Sequence, residues 1–60
     1  MNTETEFKAL MDRAVDDWYR RSYPANPRNR AHAIAQEYGL NPEALHEACQ
    51  ADFETRADSY

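Results

Sequence analysis

Three side chains in this chain are suited by type to metal binding or nucleophilic chemistry, His32, His46 and Cys49, and their spacing serves neither. His46 and Cys49 stand three apart on one predicted helix while His32 lies elsewhere, so a zinc site lacks a clear fourth ligand. Cys49 falls in mid-helix among acids, with no cation beside it to depress its pKa, so its thiol is not poised as a nucleophile. Asp16 and Asp17 are consecutive and point to different sides of a helix, which disqualifies them as an acid–base pair. Gly39 is the only glycine, so no glycine-rich loop can cradle phosphate. A helical unit this small is also expected to lack room for a substrate cleft of several hundred cubic ångströms. These residues predict a non-enzymatic protein without a metal or cofactor.

Two other constellations point to recognition. The first is Trp18-Tyr19-Arg20-Arg21-Ser22-Tyr23, followed by Arg28 and Arg30. Tryptophan, tyrosine and arginine are the types most enriched at interface hot spots, because they cover large area and end in oriented polar groups. Trp18 completes an apolar stripe and is assigned to the core. Tyr19 falls off that stripe, so Tyr19, Arg20, Arg21, Tyr23, Arg28 and Arg30 are the candidate partner-binding residues. The second constellation is acidic: Glu43, Glu47 and Glu54 share one face of the last helix, with Gln50 between them and Asp58 beside them. Such a face is either solvated or a docking surface for a basic partner.

Charge is segregated in the same way. Residues 1–17 hold five acids and two cations, residues 18–36 hold four arginines and no acid, and residues 37–60 hold six acids and one arginine. The net charge is -4. Holding single-stranded nucleic acid on an aromatic–arginine surface is disfavoured by that balance.

The elements that must position these residues are helical. Thr3-x-x-Glu6 is a capping-box pattern, and Phe7, Leu10, Met11, Ala14, Val15 and Trp18 recur at three- and four-residue steps. They predict a first helix over about residues 3–22, with Asp16–Arg20 and Asp17–Arg21 as i,i+4 pairs. Tyr23-Pro24-Ala25-Asn26-Pro27 is a turn. Asn26-Pro27 and Asn41-Pro42 each read as an N-cap with proline at the first helical position. Helix two is predicted over 27–38, with Ala31, Ile34, Ala35 and Tyr38 buried and Gly39 as its left-handed stop. Helix three is predicted over 42–56, burying Leu45, Ala48, Cys49 and Phe53 and fraying between Phe53 and Asp58. No segment alternates with the period of a strand. The expectation is an all-α, three-helix domain spanning residues 1–60, its core built from Phe7, Leu10, Met11, Ala14, Val15, Trp18, Ile34, Ala35, Tyr38, Leu40, Leu45, Cys49 and Phe53.

Between Ala31 and Cys49 the sequence AHAIAQEYGLNPEALHEAC resembles a helix-turn-helix in a tri-helical domain. Ala35 is the small residue that lets the helices approach, Gly39 the turn, and Ile34, Leu40 and Leu45 the apolar anchors. The resemblance implies groove-facing positions near Asn41, Glu43, His46, Glu47 and Gln50. One glutamate can accept a bond from cytosine, but two without a flanking cation meet phosphate repulsion. The preferred expectation is therefore a small regulatory or adaptor protein that binds another protein, with a homodimer as a further state. The alternative is a dimeric helix-turn-helix transcriptional regulator, with Arg28 and Arg30 on phosphates. A single cysteine permits no internal disulfide and suits a reducing compartment, and MNTETEF has no basic-then-apolar signal pattern, so a cytoplasmic location is expected. No apolar stretch nears the roughly 20 residues that span a bilayer, so no membrane is expected.

Overall fold

Asparagine–proline pairs begin two of the three helices, and one glycine ends the second. In the computed structural model, which describes residues 3–58, α1 runs Thr3–Arg20, α2 Pro27–Tyr38 and α3 Pro42–Asp58, with no strand among the described residues. The Asn26 side chain accepts from the Asn29 N–H at 3.0 Å, and Asn41 accepts from Ala44 at 3.1 Å. Each bond satisfies one amide that the first helical turn leaves without an internal partner. At the end of α2, Gly39 adopts φ 70°, ψ 28°, and the Leu40 N–H donates to the Ala35 carbonyl at 2.8 Å. That six-to-one bond closes the helix and turns Leu40 inward, where it is buried.

α1 stops at Arg20, two residues short of the expected end. The Arg21 N–H still closes the last turn on Asp17 at 2.9 Å. Tyr23 precedes a proline and is excluded from helical geometry, so the chain leaves the helix before it; the Tyr23–Pro24 peptide is cis. α3 extends to Asp58, beyond the expected 56. The Arg56 guanidinium bonds Asp52 at 2.8 Å and the Thr55 hydroxyl bonds the Ala51 carbonyl at 2.9 Å across that last stretch.

α2 and α3 pack most extensively on each other, and α1 lies against both. Ala14, Trp18, Ala31, Ile34, Ala35, Leu40, Leu45 and Cys49 are buried, and Met11, Val15, Tyr19 and Tyr38 are partly buried against them. Three residues expected in the core are not there: Phe7 is 55% exposed, Leu10 36% and Phe53 54%. Ala48, expected to be buried, is only partly so. The cause is where the helices cross. Pro27 and Tyr38, the two ends of α2, bond Trp18 and Asp17, neighbours near the C-terminal end of α1, so α2 lies across that end and Thr3–Leu10 stay exposed. The radius of gyration, 11.5 Å, is correspondingly larger than the roughly 10 Å of a tightly rounded chain of this size.

Candidate interaction surfaces

The arginines between residues 20 and 30 are largely taken up by the fold. Arg30 reaches back into the α1–α2 turn, donating to the carbonyls of Pro24 at 2.8 Å, Ala25 at 3.0 Å and Trp18 at 3.4 Å. Its guanidinium also lies 5.7 Å from the centre of the Trp18 ring. Trp18 completes the knot by donating its indole N–H to the Pro27 carbonyl at 2.9 Å. Arg21 grips Glu37 of α2 with both terminal nitrogens, at 2.5 and 2.8 Å, and lies 4.0 Å from Asp17. That fork raises the Arg21 pKa and lowers that of Glu37. Arg28 bonds Glu43 of α3 at 2.9 Å. Of the six candidates, Arg20, Tyr23 and Arg28 remain exposed, Arg28 with its bond to Glu43. Arg20 pairs with Asp16 at 3.3 Å while staying 76% exposed, and Tyr23 is 82% exposed.

Tyr19, expected to be available on the surface, is half-buried between α1 and α3. Its ring meets the edge of Trp18 at 4.9 Å between centroids, and Arg56 stacks on it at 4.7 Å. Its hydroxyl donates to Asp52 at 2.7 Å. Burial, and then that bond to Asp52, raise the Tyr19 pKa; the same bond, with the one from Arg56, holds the Asp52 carboxyl below its ordinary value. Tyr38 makes the equivalent link on the other side of α1, donating to Asp17, and the bond raises its pKa. Two tyrosine–aspartate bonds thus fasten α1 to α3 and to α2. The pairing of Asp52 with Arg56 was readable as an i,i+4 relation; its meeting with Tyr19, 33 residues away, was not.

The acidic face of α3 divides into two parts. Glu43 is committed to Arg28 and stands 3.3 Å from the His32 ring, and the bond from Arg28 lowers its pKa. Asn41, another groove-facing candidate, is occupied as the α3 cap. Glu47 and Glu54 are exposed and Gln50 is partly so, with the half-exposed Phe53 ring beside them. At about 100° per residue, Phe53 sits roughly 60° from Gln50 around the helix and forms the apolar edge of this face.

A groove of about 330 Å³ opens between α1 and α3, lined by Met11, Asp12, Val15, Asp16, Ala48, Asp52 and Arg56. This corrects the expectation that so small a domain has no concavity of that size. Two of its carboxylates are already engaged. Asp16 faces Arg20, and Asp52 already accepts from Tyr19 and Arg56 with a lowered pKa, the opposite of what a general acid needs. Cys49 is fully buried, and burial raises its pKa to about 11. Among the described residues, no three of His, Cys, Asp and Glu converge as a metal site, and no helix is long and apolar enough to cross a membrane. Compared with protein-family models, curated proteins and solved structures, the chain matches none.

Proposed function

We propose that this protein is a small non-enzymatic interaction module, regulatory or adaptor in kind, that docks another protein through the free part of α3. The observation that carries this reading is Phe53, 54% exposed beside Glu47, Gln50 and Glu54. An aromatic anchor with an acidic rim suits an apolar pocket bordered by Lys or Arg: the ring supplies affinity, and the charges supply steering and orientation. The tight α2–Gly39–α3 connection, similar to a helix-turn-helix, acts here as a scaffold that holds this face rigid. DNA binding is less well supported. Arg28, a phosphate-contact candidate, is neutralised by Glu43, and Arg30 is drawn into the turn. The face that would enter the groove keeps Glu47 without an ion pair among the described residues, and Glu54 lies about two turns beyond it, likewise without one.

The test is affinity capture from the native host with wild-type protein, Phe53→Ser, and Glu47→Lys combined with Glu54→Lys, each with and without nuclease. The expected result is a protein partner that resists nuclease and is lost with both surface variants. Duplex DNA titrated at low ionic strength should give no salt-dependent binding. Capture abolished by nuclease, together with such DNA binding, would overturn the reading in favour of the transcriptional alternative.

A further inference from the structure

Thr3 to Leu10 of α1 are all exposed, and Phe7 and Leu10 continue the stripe that runs into Ala14 and Trp18. Eight residues are roughly 12 Å of helix. So short a segment is marginal in water without tertiary cover, and a surface laid over Phe7 and Leu10 would stabilise it. The flanking charges indicate which surface fits. At about 100° per residue, Glu6 and Arg13 lie within about 20° of each other on one flank of Phe7, and Lys8 and Asp12 within about 40° on the other. None of these four makes an ion pair among the described residues.

We infer that α1 pairs antiparallel with α1 of a second copy, with Leu10 near the two-fold axis. In that arrangement each flank meets its own counterpart in reversed order. Glu6 faces Arg13 of the second copy and Lys8 faces its Asp12, each pair occurring twice. Phe7 lies over the partly exposed Met11 of the other chain, and the four charges border the apolar seam on both sides. A parallel pairing instead sets the Glu6–Arg13 flank against the Lys8–Asp12 flank of the second copy; there a mixture of Glu6→Arg with Arg13→Glu still leaves like charges in contact, so mixing the two variants distinguishes the two orientations. The size of the core favours the same occupant. Among the described residues only eight are buried, three of them alanine, and chains near this size commonly draw on association for stability. A contact over about three helical turns covers on the order of 1,000 Å² in total, the low end for a specific interface, and the inferred dimer is a weak one, on the order of micromolar.

The experiment is sedimentation equilibrium of the full chain from about 5 to 500 μM, where mass action populates a micromolar dimer. Wild type is expected to dimerise, and Phe7→Ser to weaken association at least about tenfold. Glu6→Arg and Arg13→Glu change exposed positions, so helical circular dichroism should be kept. Each alone places like charges opposite one another twice and should weaken self-association about tenfold. Mixed together, the two variants should associate as tightly as wild type, because opposite charges then face each other again at both contacts, with the arginine and the glutamate exchanged in one of them. Phe53→Ser should leave the dimer intact, which separates this contact from docking on α3. A wild type monomeric across the range, a mixture without recovery, or a dimer lost with Phe53→Ser but kept with Phe7→Ser each overturns the antiparallel pairing.

Discussion

Replacing Arg30 with methionine should destabilise the domain, whereas the same change at Arg20 should do almost nothing. Both residues lie in the arginine-rich segment and look alike in sequence, but their surroundings differ. Arg30 donates to three backbone carbonyls, two of them at 2.8 and 3.0 Å. The third, at 3.4 Å, is long and adds little. The Ala25 carbonyl can turn to water when Arg30 is lost, so its bond contributes about 0.5 kcal/mol, while the part-buried Pro24 bond contributes about 1. The guanidinium over Trp18 adds about 0.5 kcal/mol that a methionine stem does not replace. The expected cost is about 2 kcal/mol, in a domain whose total stability is on the order of 5. At this chain length that lowers the melting temperature by roughly 10–15 °C. Guanidinium unfolding followed by helical circular dichroism and by Trp18 fluorescence should give coincident transitions at a lower midpoint. Arg30→Lys should fall between, because one ammonium cannot span the carbonyls that the planar fork reaches. If Arg30→Met stays within about 0.5 kcal/mol of wild type, or if Arg20→Met costs as much, the turn is not held by Arg30. Its guanidinium would then return to the candidates for partner contact.

Gly39→Ala should cost about 1 kcal/mol in thermal unfolding. An added Cβ meets no atom within 4 Å, so the loss is backbone strain at φ 70° alone, and Gly39→Asn should recover part of it. Acid should unfold the protein through Glu37, Glu43 and Asp52, each held below its ordinary value by bonds from Arg21, from Arg28, and from Tyr19 with Arg56. Because the unfolded carboxylates bind protons first, stability should be full above the ordinary carboxylate range and fall as pH drops through it; a midpoint insensitive to pH between about 5 and 2 contradicts these pairings. Cys49, buried with its pKa raised to about 11, should resist iodoacetamide at neutral pH and become alkylated only as the chain unfolds, so rapid native-state labelling would show that the α2–α3 interior is open.

The parts of this fold that were readable in advance are those written in local chemistry. Asn26-Pro27, Asn41-Pro42 and Gly39 mark helix ends through bonds made within a few residues, so α2 was placed to the residue. The apolar period of α1 identified the Ala14–Trp18 side that faces the core. The stripe could not say how far along the helix the cover extends. Phe7 and Phe53 obey the same period as Trp18 and Leu45, yet exposure depends on where the helices cross, and both ends of α2 bond α1 at Asp17 and Trp18, far from Phe7. The arginines failed differently. Composition identified a basic segment between acidic ends, but nothing local revealed that Arg21, Arg28 and Arg30 have partners 16, 15 and 6 residues away. Tyr19 lies off the α1 stripe because it faces α3 alone, a distinction that one helix's periodicity does not contain.

These two failures bear on the proposed preference for a protein partner over DNA. With eight buried residues among those described, the domain leans on polar links between its segments. Tyr19–Asp52, Tyr38–Asp17 and Arg28–Glu43 each join two helices, and Arg21, just past the end of α1, ties the turn to Glu37 of α2. Every arginine used as such a link is withdrawn from the phosphate contacts a DNA-binding domain would need, and the Glu43 that Arg28 neutralises is on the helix that would have to approach the groove. Phe7, Leu10 and Phe53 stay exposed along α1 and α3, and apolar side chains edged by charge are the chemistry that the proposed contact with another protein requires.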